Sequence, residues 1–121
     1  MKVWLVVGSA LSALAVLIGA FGAHGLKSKI TAEALSIFEI GVKYQMYHSL
    51  GLILIGIIGY HLPQSSIMPA AYCMLAGIII FSGSLYVLAL LNIKWLGAIT
   101  PIGGMCFIIG WLLLAFNIYR S

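Results

Sequence analysis

The sequence predicts an all-α integral membrane protein, a single domain over residues 1–121 with four transmembrane helices in an up-down-up-down bundle. Three observations lead there. The composition is 64% hydrophobic and 7% charged, with a mean hydropathy of +1.20, outside the range of soluble domains. Four apolar runs approach the roughly 20 residues that a helix needs to cross a hydrocarbon core. The connectors between them are short, which makes successive helices antiparallel neighbours.

The first run, Val3 to Ala23, follows Lys2 and contains Ala20-Phe21-Gly22, which imitates a signal-peptidase site. Its apolar core is too long for a secretory signal, so it is expected to be a permanent helix. The connector "HGLKSKIT" supplies Gly25 and two lysines. Thr31 is an expected N-cap, Glu33 falls in the first turn where the helix dipole favours an acid, and Ile30 with Leu35 has hydrophobic-staple spacing. The second helix therefore starts near Ala32, and its distance to Tyr60 is about 43 Å at about 1.5 Å per residue. That exceeds the hydrocarbon thickness, so only the run Gly41 to Tyr60 is expected inside it. Pro63 in "HLPQSS" ends the second helix, the third run covers Ile67 to Leu91, "NIK" is a tight turn, and the fourth run covers Trp95 to Ile118.

The six Lys and Arg form no basic patch, so nucleic acid is not an expected partner. They read instead as topology signals. An even number of spans puts Lys2 and Arg120 on one side and Lys27, Lys29 and Lys94 on the other, and the latter group points to the cytoplasm by a margin of one. Cys73 and Cys106 lack metal-ligand or redox spacing and read as small apolar residues. Glu33 and Glu39 are the only acids. With no nucleophile elbow, phosphate loop or H-E-x-x-H, no catalytic residue, metal ligand or cofactor is assigned.

Chemistry concentrates in "FEIGVKYQMYHSL" (Phe38 to Leu50). At 100° per residue, Glu39, Lys43, Tyr44, Tyr47 and His48 share about half of the helix circumference, and such a polar arc is expected to turn toward other helices. Glu39 is placed at the headgroups, Lys43 just inside with a stem able to snorkel, and His48 deep in the hydrocarbon. His48 could relay a proton or ligate a cation, or could be a satisfied structural histidine. Ser82, Ser84 and Tyr86 are its candidate partners in either case. Glu39 and Lys43 have the spacing of a stabilising ion pair, or could belong to a relay. His24, Lys27 and Lys29 form a possible surface site for anionic headgroups. Gly19, Gly22, Gly83, Gly103 and Gly104 are expected at helix contacts, because close backbone approach supplies the packing that water supplies elsewhere. Local unwinding around a ligand is the alternative for the glycines near Gly22 and for "TPIGG".

"GAFGAHGL", "FEIGVKYQMYHSL", "FSGSLY", "LGAITPIGG" and "GW", in this order along nearly the whole chain, resemble the small membrane-protein family catalogued as domain of unknown function 423. The resemblance implies a compact multi-pass protein of the bacterial inner membrane and brings no biochemical activity with it. Three roles follow as expectations. The first is a non-enzymatic accessory or packing component that associates with itself or with other membrane proteins. The second is an oligomeric ion or solute pathway lined by the second helix, and the third is a lipid-binding protein.

Overall fold

The computed structural model describes residues 2–121. Helix α1 (Lys2–Phe21) continues without a break into a π-helical turn at Gly22–Leu26. Helix α2 (Ala32–Ile58) begins as its capping residues dictate, with the Thr31 hydroxyl accepting the Ala34 N–H at 3.0 Å. Ile30 and Leu35 pack together against a small cluster of Leu26, Phe38 and Ala89 at this end of the molecule. Helix α3 (Gln64–Gly77) follows Pro63 and widens into a second π-helical turn at Ile78–Ser82, which leads into α4 (Gly83–Leu91). Asn92 ends α4 in the left-handed conformation at φ 55°, a geometry asparagine tolerates better than most residues. A 3-10 turn at Lys94–Ala98 then opens α5 (Thr100–Arg120), where Pro101 occupies the first turn and its missing N–H has no partner to lose. The tight turn expected at "NIK" is thus a longer connection, and the α-helix proper starts at Thr100.

Successive rods run antiparallel. Along the α1 and α2 interface, Gly56 meets Leu5, Gly8 meets Ser49 and Ile53, and Gly22 meets the Phe38 ring. The other long interface pairs Gly77 of α3 with Phe107 of α5, and Gly103 of α5 with the backbone of Phe81. Helix α2 lies between these pairs, touching α1 on one side and α3, α4 and the second π turn on the other. The main core joins Trp4, Leu52, Ile55, Met74, Phe107 and Leu114 with the small residues Ala70 and Ala71.

Three rods, Lys2–Leu26, Gln64–Leu91 and Lys94–Arg120, are long and apolar enough to cross a membrane. Helix α2 has the length, at 27 residues, but Lys43, Gln45, His48 and Ser49 dilute its apolar character. The expected count of four spans is therefore met by three rods on composition, and the fourth is the rod that carries the polar groups.

Among the glycines expected at contacts, Gly19 has Val42 beside it, Gly22 has Phe38, and Gly103 has Phe81. Gly83 is a correction, since nothing lies within 4 Å of where its Cβ would be. Gly104 makes only a loose approach to the Phe81 ring at 3.9 Å. The reason is register: Gly83 and Gly104 each follow the residue whose face is buried, Ser82 and Gly103, and one step turns a helical position by 100°.

Candidate functional site

Helix α2 is oriented by the size of its residues. Gly41, Gln45, Ser49, Leu52 and Gly56 are buried in one column with spacings of three and four residues, so neighbouring backbones can come close along it. The polar arc points elsewhere. Glu39, Lys43, Tyr44 and Tyr47 are exposed, and of the five arc residues only His48 is buried. The expectation that the arc turns toward other helices holds for part of it: Tyr44 and His48 pack against Phe81, Phe107 and Trp111, whereas Glu39 and Lys43 are exposed and the small-residue column takes the interior.

Gln45, 2% exposed, is the polar centre of that column. Its Nε2 donates to the Leu11 carbonyl of α1 at 2.9 Å, and its Oε1 accepts the Tyr86 hydroxyl of α4 at 2.6 Å. Ser82, at the end of the second π turn, donates to the Gly41 carbonyl at 2.7 Å. The wider π turn, a form often found where a helix must re-aim a side chain, brings this hydroxyl to α2. Ser49 returns a bond to the Gln45 carbonyl, and Ser84 bonds to Thr100 at 2.6 Å, tying α4 to α5. Among the described residues no buried side-chain polar atom lacks a partner.

His48 stands apart from this network. None of Ser82, Ser84 and Tyr86 reaches it, since each is engaged elsewhere. Its Nδ1 donates to the Tyr44 carbonyl at 2.7 Å, and its ring lies on Phe107 with centroids 3.5 Å apart and planes 8° from parallel. His48 also lines a cavity of about 570 Å³ together with Tyr44, Tyr47, Phe81, Phe107, Ile108 and Trp111, with Gly104 forming part of its lining. A smaller cleft of about 140 Å³ beside Gly19 and Phe38 has Glu39 and Lys43 at its rim. His24, Lys27 and Lys29 are exposed around the first π turn and are not gathered into a cavity with the arc. Among the described residues no three His, Cys, Asp or Glu side chains converge as a metal site would require.

The family model described as "Protein of unknown function (DUF423)" matches residues 18–104. The chain belongs to this family. The matched stretch includes the Gln45 column, the second π turn and Gly103. Relatives extend the likeness over the rest: a UPF0382 membrane protein of Staphylococcus saprophyticus is 48% identical over 99% of both chains. The UPF0382 membrane protein YwdK of Bacillus subtilis is 47% identical over 94% of each, and a Staphylococcus epidermidis member is 50% identical over 94% of this chain and 93% of its own. No solved structure matches. With three apolar rods and this kinship, the DUF423 chain is a multi-pass membrane protein of a family without an assigned activity.

Sequence reasoning named Tyr86 but paired it with the wrong residue, and it left Gln45, Phe107 and Trp111 outside the site. Gln45 carried a usable signal. It sits four residues from Gly41 and four from Ser49, and small residues on both sides mark the face that a neighbouring helix covers.

Proposed function

We propose that this DUF423 protein is a non-enzymatic, single-domain membrane component with four spans, and that it works by associating with a second copy of itself through the outer face of α2. One observation carries the reading. Exposed residues of α2 follow the spacing of a coiled-coil seam, namely Ile40, Lys43, Tyr47, Leu50, Leu54 and Ile57. Glu39 stands one turn from Lys43 at the same end. The intramolecular network already satisfies its own members, so this stripe is not needed inside the bundle. A two-fold axis along the membrane normal would lay the two α2 helices parallel and in register, with Lys43 of each copy in the seam and one turn from Glu39 of the other, within reach of its long stem. An oligomeric ion pathway would use the same outward face of α2, and it would need more than two copies to close a lumen around Glu39, Lys43 and Tyr47. The lipid reading rests on Lys27 and Lys29 at the surface and gains no cavity from the geometry.

The test uses single cysteines in a chain with Cys73 and Cys106 replaced by alanine. Tyr47→Cys on the stripe is expected to form disulfide dimers in native membranes, whereas Val16→Cys, an exposed position of α1, is not. Glu39→Lys should weaken the Tyr47→Cys cross-link, and Glu39→Lys with Lys43→Glu should restore it. Equal cross-linking at both positions, unaffected by charge, would overturn the proposal.

A further inference from the structure

The cavity beside His48 is a second feature, which shares only Tyr47 with the self-association stripe. At about 570 Å³ it falls within the span of roughly 300–1,000 Å³ typical of small-ligand sites. Its walls are flat: the ring planes of Tyr44 and His48 lie within 15° of each other, and those of Tyr44 and Phe107 within 23°. Phe81 is tilted against Tyr44 and Phe107 at centroid distances of 4.7 and 5.4 Å, and Trp111 lies beside His48 at 5.8 Å. Aromatic walls favour a flat ring over an acyl chain, because ring pairs gain roughly 0.5–1.5 kcal/mol beyond the area they bury.

His48 sets the polarity of the guest. A carbonyl can only accept, so the bond to the Tyr44 carbonyl fixes a proton on Nδ1. In the neutral ring Nε2 is then a lone-pair acceptor, and it has no partner among the described residues. A cage of aromatic rings could also hold a cation. Here no acid lines the cavity, and the nearest charged residue along α2 is Lys43, one turn from Tyr47. A neutral guest with a hydroxyl donor meets both conditions.

We propose that this cavity is a binding site for a flat aromatic alcohol of the phenol or quinol class, which enters from the bilayer, stacks on the ring walls and donates its hydroxyl to His48 Nε2. The fit also explains why Gly104 lies in the lining without packing tightly: it leaves the space open.

Equilibrium dialysis of the full chain in phosphatidylcholine nanodiscs tests this, with 1-naphthol, 1-methoxynaphthalene and naphthalene as probes and empty nanodiscs subtracted. Saturable uptake of one 1-naphthol per chain is expected, with the methyl ether about tenfold weaker for want of the donor. His48→Phe, which retains the stack on Phe107, should bring naphthol and ether to the same affinity. Gly104→Leu should abolish uptake of both, and its new Cβ meets only the Phe81 ring at 3.9 Å, so folding is expected to survive and is checked by thermal melting. Uptake equal to empty nanodiscs overturns the proposal, as does binding that ignores Gly104→Leu. Equal affinity for all three probes in the wild type, unchanged by His48→Phe, would mean an acyl-chain crevice instead.

Discussion

The amide of Gln45 sends its donor to the Leu11 carbonyl of α1 and takes the Tyr86 hydroxyl of α4 on its oxygen, so one side chain holds three helices in register. In lipid there is no water to replace either bond, although a chain disordered within the membrane also finds partners, and measured interhelical bonds average about 0.6 kcal/mol with values up to about 1.7. Gln45→Leu removes two such bonds and leaves the half-buried Tyr86 hydroxyl without its acceptor. We expect a loss of about 1–2 kcal/mol, read by denaturant titration in bicelles. Tyr86→Phe alone strands the amide oxygen. In the double variant Gln45→Leu with Tyr86→Phe both partners are gone, and the loss should be smaller than the sum of the single losses. Strict additivity would mean that the two groups do not interact. His48, by contrast, was legible as a deep histidine but not as a cavity residue, because its neighbours Phe107 and Trp111 come from a helix some sixty residues on and nothing local signals that meeting.

At the scale of the helices, the glycines divide by what faces them. A Cβ on Gly103 would press into the backbone of Phe81, which cannot swing aside, whereas Gly83 faces open space. Gly103→Ala is therefore expected to destabilise the bundle by about 1–3 kcal/mol through overpacking. Gly83→Ala should be neutral or stabilising by up to about 1 kcal/mol through helix propensity. Thermal melting of the two variants side by side checks the contrast, and equal losses would place the contact between α5 and the second π turn elsewhere. Helix ends were readable from the chain because they depend on neighbouring residues: Thr31 as a cap, Pro63 before α3, Pro101 in the first turn of α5. The π turns at Gly22–Leu26 and Ile78–Ser82 were not. A one-residue widening answers to a contact across the bundle, such as Ser82 with the Gly41 carbonyl, and leaves no local sequence mark. The rotation of α2 differs from expectation only in part: residue size puts the small-residue column inside, and the arc divides, with Tyr44, Tyr47 and His48 beside Phe107 and Trp111 and Glu39 and Lys43 exposed.

For the molecule as a whole, the prediction that matters is that α2 crosses the bilayer with its neighbours. Composition qualifies three rods, yet contacts between α1 and α2 run from Leu5 with Gly56 to Gly22 with Phe38, nearly the full length of α1. We expect a helix paired antiparallel to a spanning partner over that distance to span as well. Apart from His48 Nε2, its buried side-chain polar groups are already bonded, so the cost of immersion falls mainly on Lys43 and Glu39 near one end, where a long stem can carry charge to the headgroups. Four crossings place Lys2 and Ser121 on one side and Lys29 and Lys94 on the other, whereas three crossings with α2 on the surface would put Lys29 and Ser65 together and the ends of the chain apart. Single cysteines at these positions, introduced with Cys73 and Cys106 replaced, can be labelled from outside intact cells with a membrane-impermeant maleimide. We expect the Lys2, Ser65 and Ser121 positions to label alike, with the Lys29 and Lys94 positions protected when the lysine-rich side is cytoplasmic. Matching reactivity at Lys29 and Ser65 would take α2 out of the membrane, and Gln45 would then need a reason other than lipid immersion for its burial between three helices.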